Sequence, residues 1–321
     1  MRIAAFAFAV AALALPTMPS AAQPQPWPQR PVKFILPLGP GSGVDIGARL
    51  IADRLSQKWG QPVVVENRPG GDGIVAITAF ISAHDSHTLL LGPASSFSAH
   101  PYLHDKMPYD PNELAPVARV SATLGVIGVP PSLNVNSLKE LFALARAQPG
   151  KLNWATIGSS TDFLVAGYLK AAGIDMVKIP YRDLVQGMND VAEGRLQLYF
   201  ASYAIMRPQV QAGRIKLVAV AASQPTSILP GVPTVAQEGF PELTIDGLVG
   251  LYGPRDMPAE LREQIAADVK TVLADDTIVS RFGVTGQVVM PGSPAEFAAA
   301  IGKQQADLAA VAKVLGITAA H

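Results

Sequence analysis

Residues 33–60, KFILPLGPGSGVDIGARLIADRLSQKWG, decide the fold. Phe34-Ile35-Leu36 is an apolar run that reads as a buried strand, and it breaks at Pro37. The chain then passes through Gly39, Pro40, Gly41, Ser42 and Gly43 and resumes with a helical period. Ile46, Leu50, Ile51, Leu55 and Trp59 fall on one side of that helix, with Arg49, Asp53 and Lys58 on the other. A strand, a small-residue turn and a helix start leave backbone N–H groups aimed at one spot, with the positive end of the helix dipole behind them. Such a turn binds anions, whether carboxylate or phosphate.

Working outward, residues 62–66 (PVVVE) read as a second buried strand, 67–73 as a turn, 74–83 as a helix and 87–92 as a third strand. This strand–helix–strand–helix–strand order predicts a parallel sheet with helices on its faces. A loop-rich section follows, punctuated by Pro101, Pro108, Pro111 and Pro116. Residues 124–129, 152–156, 176–180, 196–200 and 215–221 then read as strands, alternating with helices at 137–147, 161–172, 184–193 and 204–212. That is a second α/β unit. Residues 223–238, rich in Pro and Gly, read as a return linker, and 244–252 as a further strand. Helices open at Pro258 and at the capping box Ser293-Pro-Ala-Glu296. Trp59, Trp154 and Phe297 fit core positions. The expected organisation is a signal peptide (1–22), one domain from 23–125 plus 245–321, and a second from 126–244.

The chain has 321 residues with 25 basic and 25 acidic side chains, so no charge excess draws it to nucleic acid or to an anionic membrane surface. It has no cysteine, which excludes a disulfide framework, a thiol nucleophile and thiolate zinc sites. Arg2, the apolar run 3–15 and Ser20-Ala21-Ala22 predict a cleaved secretory signal peptide. The run is too short to serve as a membrane anchor.

The spacing of Gly41, Gly43 and Gly47, with Glu66 ending the next strand, is compatible with a dinucleotide-binding turn. The alternative it supports is a nucleotide-dependent oxidoreductase using residues 41–47. Ser42, Ser159 and Ser160 sit in no nucleophile elbow and read as helix caps or ligand-binding hydroxyls. His84-Asp-Ser-His87 lacks a third ligand, and no metal is expected. Asp45 and Asp162 each fall in the first turn of a helix, where they either complement the dipole or contact a ligand. The stretches 33–45 and 151–162 echo one another: strand, small-residue turn, helix with an early aspartate. Two anion-ready turns facing across a cleft would make a clamp.

Residues 37–45, PVVVENRPG at 62–70, MPYDP at 107–111, PGKLN at 149–153, IPYR at 179–182 and PGVPTV at 230–235 occur in order. Together they resemble the substrate-binding receptors of tripartite tricarboxylate transporters, the Bug-type periplasmic proteins, from about Trp27 to the C-terminus. The resemblance implies an α/β, two-domain type II periplasmic-binding-protein fold. Each domain would be a mostly parallel sheet flanked by helices, with the ligand cleft between. It implies a monomeric periplasmic receptor, not an enzyme and without cofactors, that passes a small organic carboxylate to integral membrane transporter subunits. A variant of this reading makes the client a membrane sensor kinase. The expected ligand contacts are Pro40, Gly41, Ser42, Gly43, Asp45 and Ser95 from the first domain, and Gly158, Ser159, Ser160, Thr161, Asp162 and Arg182 from the second. Val44 stands where the family has a threonine, Asp162-Phe163-Leu164 where it has Ser-Gln-His, and Leu248 where it often has a tryptophan. If these side chains line the cleft, it suits a mono- or dicarboxylate with an aliphatic or aromatic body better than citrate. The competing reading turns Phe163 and Leu164 into their own domain's core.

Overall fold

The computed structural model describes residues 27–158, 160–181 and 183–320, apart from the side chain of Ser96. The expected signal peptide lies outside the described residues. The opening stretch forms β1 (Val32–Leu36) and α1 (Gly43–Trp59). Ser42 caps α1 by accepting from Asp45 N at 3.2 Å, and Gly60, at φ 66°, closes it in the left-handed region. The buried stripe of α1 runs through Val44, Ala48, Ile51 and Leu55. Ile46, expected inside, is 39% exposed, because two residues from Val44 is a rotation of about 200° around the helix.

β2 (Val63–Asn67), α2 (Ile74–Ala83) and β3 (Thr88–Pro93) follow as expected in order. β2 pairs only with β1, so it is an edge strand and Val64 is 51% exposed rather than buried. The section read as loop instead holds α3 (Ala94–Leu103) and β4 (Leu114–Thr123). Pro101 sits in the last turn of α3, where little of the helix remains to be broken. Pro116 is accommodated beside a register shift between β4 and its partner strand.

Past Leu124 the chain enters a second sheet through β5 (Gly125–Val129), α4 (Leu138–Ala147), β6 (Asn153–Thr156) and α5 (Ser160–Ala171). It continues with β7 (Val177–Lys178), α6 (Leu184–Ala192), β8 (Leu198–Ser202), α7 (Tyr203–Gln211) and β9 (Lys216–Val220). It then returns to the first sheet through β10 (Gly247–Pro254) and α8 (Ala259–Leu273). α9 (Asp276–Val284), β11 (Gln287–Gly292) and α10 (Pro294–Leu315) complete it, with the full capping box formed at Ser293 and Glu296.

The strand orders are β11-β4-β10-β3-β1-β2 and β7-β6-β8-β5-β9. This is an α/β fold of two sheets flanked by helices. The sheets are mixed rather than mostly parallel. β1 runs parallel to β2 and β3, and β6 to β7 and β8. β10 is antiparallel to β3 and β4, and β5 to β8 and β9. β5 and β10 are the strands that arrive from the other sheet, without the crossover helix that parallel pairing requires.

One core gathers Phe34, Leu36, Ile51, Leu55 and Leu251 under the first sheet; another gathers Phe142, Trp154, Leu164 and Phe200 in the second. α10 touches both units. Its Phe297 packs beside Tyr252 of β10, while Leu308 and Ala312 meet Phe163 of α5 and Ala99 of α3. No helix among the described residues is long and apolar enough to cross a membrane.

Candidate functional site

A cavity of about 340 Å³ opens where the strand ends of the two sheets face each other. The first unit contributes Pro37, Leu38 and Val44 around the start of α1, Gly70, Asp72 and Gly73 before α2, and Pro93 and Ser95 at the start of α3. The second contributes Ile157, Gly158, Ser160 and Thr161 at the start of α5, and Phe200, Ala201 and Ser202 at the start of α7. Thr123, Gly125, Ile245 and Gly247, where the chain passes between sheets, complete the wall. Five helices therefore begin at one cavity. Their first-turn N–H groups have no partner within the helix, and their dipoles add. α2, α3 and α7 have no side-chain cap; Ile74 N at the start of α2 bonds Gly71 O and Tyr203 N at the start of α7 bonds Leu124 O, which leaves later first-turn amides to solvent or a ligand.

Of the expected contact residues, Ser95, Gly158, Ser160 and Thr161 line this cavity. Pro40, Gly41, Ser42, Gly43, Asp45 and Asp162 are not among its lining residues, and Ser159 and Arg182 lie outside the described residues. The physical reason is clearest at Asp45. Its buried carboxylate accepts from Gly41 N at 2.9 Å, Asn67 Nδ2 at 2.8 Å and Arg49 Nε at 3.2 Å. Burial alone would raise its pKa, but the bonds from Arg49, Gly41 and Asn67 outweigh that and hold the carboxyl below the usual range. Asn67 Nδ2 also reaches the carbonyl of Leu38 at 2.9 Å. Asp45 is thus committed to its own turn, holding Leu38 and Val44 where they face the cavity.

A Cβ at Gly43 would lie 2.8 Å from Thr285 O, and one at Gly47 would lie 2.9 Å from Phe282 Cζ, so these two glycines admit close protein packing, while Gly41 has open space around it. The Asp45 carboxylate already occupies the amide of Gly41, and Glu66 is paired with Lys33 at 2.8 Å and with Arg68.

In the second turn Asp162 accepts from Thr156 Oγ1 at 2.7 Å and from Lys178 Nζ at 2.7 Å. The turn before α2 is tied from behind by buried His100. Its Nε2 lies 3.1 Å from Asp72 O and its Nδ1 2.8 Å from Tyr109 Oη. A single tautomer, Nε2–H donating and Nδ1 accepting, satisfies both contacts. His100 carried no signal in the sequence, because its helix was hidden behind Pro101.

Phe163, Leu164 and Leu248 do not line this cavity. Phe163 stacks on Tyr102 with ring centroids 5.5 Å apart, Leu164 enters the second core, and Leu248 packs in the cluster of Tyr252 and Phe297. The apolar wall comes from Leu38, Val44, Pro93, Ile157, Phe200 and Ile245. Ile157 is 37% exposed, an uncovered aliphatic side chain beside the α5 turn. Among the described lining residues Asp72 is the one ionisable side chain.

The model of the tripartite tricarboxylate transporter family receptor matches residues 47–313. A UPF0065 protein of Bordetella bronchiseptica is 31% identical over 291 residues, covering 89% of this chain and 86% of its own. BugT of Bordetella pertussis is 28% identical over 84% of each chain. An R. palustris protein solved with adipate superposes with a TM-score of 0.77 at 28% identity, over 91% of this chain and 99% of that one. The periplasmic binding protein BugD superposes with a TM-score of 0.73 at 25% identity, over 91% and 99%.

Proposed function

The chain belongs to the tripartite tricarboxylate transporter receptor family, and from that premise we propose that it is a periplasmic receptor for an aliphatic dicarboxylate. It closes two domains, 23–125 plus 245–321 and 126–244, on the ligand and delivers it to integral membrane transporter subunits. The observation that carries this reading is the convergence of the N-termini of α2, α3, α5 and α7 on a cavity whose remaining wall is largely apolar. Each charge-assisted hydrogen bond from those turns to a carboxylate is worth about 1.5–3 kcal/mol, and a helix N-terminus adds about 0.3–1 kcal/mol. The aliphatic body gains about 25 cal/mol per Å² buried against Leu38, Val44, Ile157 and Ile245.

Citrate fits this wall poorly. Its hydroxyl and third carboxylate, buried against aliphatic side chains, would each go unpaired at about 1–3 kcal/mol. The relative solved with adipate supports the same direction. In this reading the contacts are the turn residues Gly158, Ser160 and Thr161 on one side and Ser95 on the other, joined by the hydroxyls of Thr123 and Ser202. No step of the proposal involves catalysis.

Titration calorimetry against citrate, short and long aliphatic diacids, aromatic acids and NAD tests it. Adipate-length diacids should bind more tightly than citrate. Citrate binding tightest would overturn the ligand class, and NAD binding would overturn the receptor reading itself.

A further inference from the structure

Thr156 ends β6, is buried, and is not among the cavity-lining residues, yet its hydroxyl organises the residues that are. A threonine hydroxyl has one proton and two lone pairs. The proton goes to the Asp162 carboxylate, 2.7 Å away, whose other oxygen is held by Lys178 Nζ at 2.7 Å. That fixes the direction of the hydroxyl and turns its lone pairs towards Gly158 and Thr161. There it accepts from Gly158 N at 2.9 Å, and the single proton of Thr161 Oγ1 is shared between Thr156 Oγ1 at 2.9 Å and Gly158 O at 2.7 Å. Gly158, at φ 91°, and Thr161 are thereby fixed to one another across the start of α5, and both face the cavity.

We propose that Thr156 is a positioning residue for ligand binding. It touches no ligand but holds the α5 turn in its binding geometry before the ligand arrives, with Lys178 and Asp162 setting the polarity of the chain of bonds. The inference rests on the carboxylate-receptor reading. Its effect is preorganisation: a turn already ordered loses less freedom when the anion binds.

Thr156→Val keeps the shape and removes the hydroxyl. Adipate should then bind about ten- to hundredfold more weakly, as expected for losing one or two hydrogen bonds behind the site. Thr156→Ser should restore most of the affinity. In the ligand-free protein, amide hydrogen exchange at Gly158 should be faster in Thr156→Val than in wild type and normal in Thr156→Ser, while the exchange of β8 amides stays unchanged. Wild-type affinity in Thr156→Val, unchanged exchange at Gly158, or a Thr156→Ser variant as weak as the valine would each overturn the proposal. A wild-type protein that binds no acid of the panel would overturn the receptor reading, and the Gly158 exchange rates would still decide whether Thr156 holds the turn. Should Thr156→Val fail to fold, Thr156→Ala, which also removes the hydroxyl, carries the same expectation for adipate affinity and for exchange at Gly158.

Discussion

Asp45 is a buried carboxylate beside a cavity read as an anion site, and its charge would oppose the ligand if it were not fully engaged. Gly41 N, Asn67 Nδ2 and Arg49 engage it, so it acts as a pin for the turn. Asp45→Ala should therefore cost about 1–3 kcal/mol in urea denaturation, because those donors are left in a buried setting without an acceptor. The pH dependence has a definite sign. The folded carboxyl titrates below its usual range, so its contribution is complete above the unfolded value of about 3.9 and fades as pH falls through the lower folded value. The stability gap between wild type and Asp45→Ala should close as pH is lowered from about 5 to about 2. A gap constant over that interval would show that the carboxylate's ionisation is not what holds the turn. At this scale the sequence located Asp45 and Asp162 and left dipole complementation and ligand contact open. Their bonding partners, Asn67 and Arg49 for Asp45 and Thr156 and Lys178 for Asp162, are side chains that only the folded chain brings alongside.

Elements with both a period and a start signal were legible: α1 with Ser42, α4 with Ser137 and α10 with its capping box. α3, β4, α9 and β11 were not. Pro101 and Pro116 read as breakers, yet each is placed where little hydrogen bonding is lost, in a last helical turn and beside a register shift. α9 did offer a cue, the Asp275 cap that accepts from Thr277 N at 2.8 Å. The packing of α5 on α10 has a sharper dependence on sequence. At Gly167 a Cβ would collide with Val311 Cγ1, and a β-branched side chain in a helix has little rotamer freedom to move aside. Gly167→Ala should lower stability by about 1–3 kcal/mol through overpacking. Val311→Ala, added to it, should recover most of the loss, measured as a double-mutant cycle. Additive effects of the two substitutions would mean that α5 and α10 accommodate the methyl elsewhere.

The chain passes between the sheets at Leu124 and again through residues 221–246, and these passages border the cavity. The echo between residues 33–45 and 151–162 made the two units and a cleft legible from sequence. It did not reveal the third tie, α10, whose Phe297 sits with the first sheet while Leu308 and Ala312 sit against Phe163 of the second unit. That tie depends on long-range packing with no local signature. It also bears on how the molecule can close. Two strand passages alone would leave a freely bending hinge, whereas a helix packed on both units confines the motion to a rotation that preserves the α5–α10 contact. Ligand binding should then draw the α5 and α7 starts towards α1, α2 and α3 by a modest rotation about that contact. In small-angle scattering, saturating adipate should reduce the radius of gyration. Amide protection should rise at the cavity-lining residues Leu38, Val44, Gly73, Gly158 and Thr161, while protection along α10 stays unchanged. Identical scattering with and without ligand would argue against closure. Loss of protection in α10 on binding would place the hinge within the helix rather than at the strand passages.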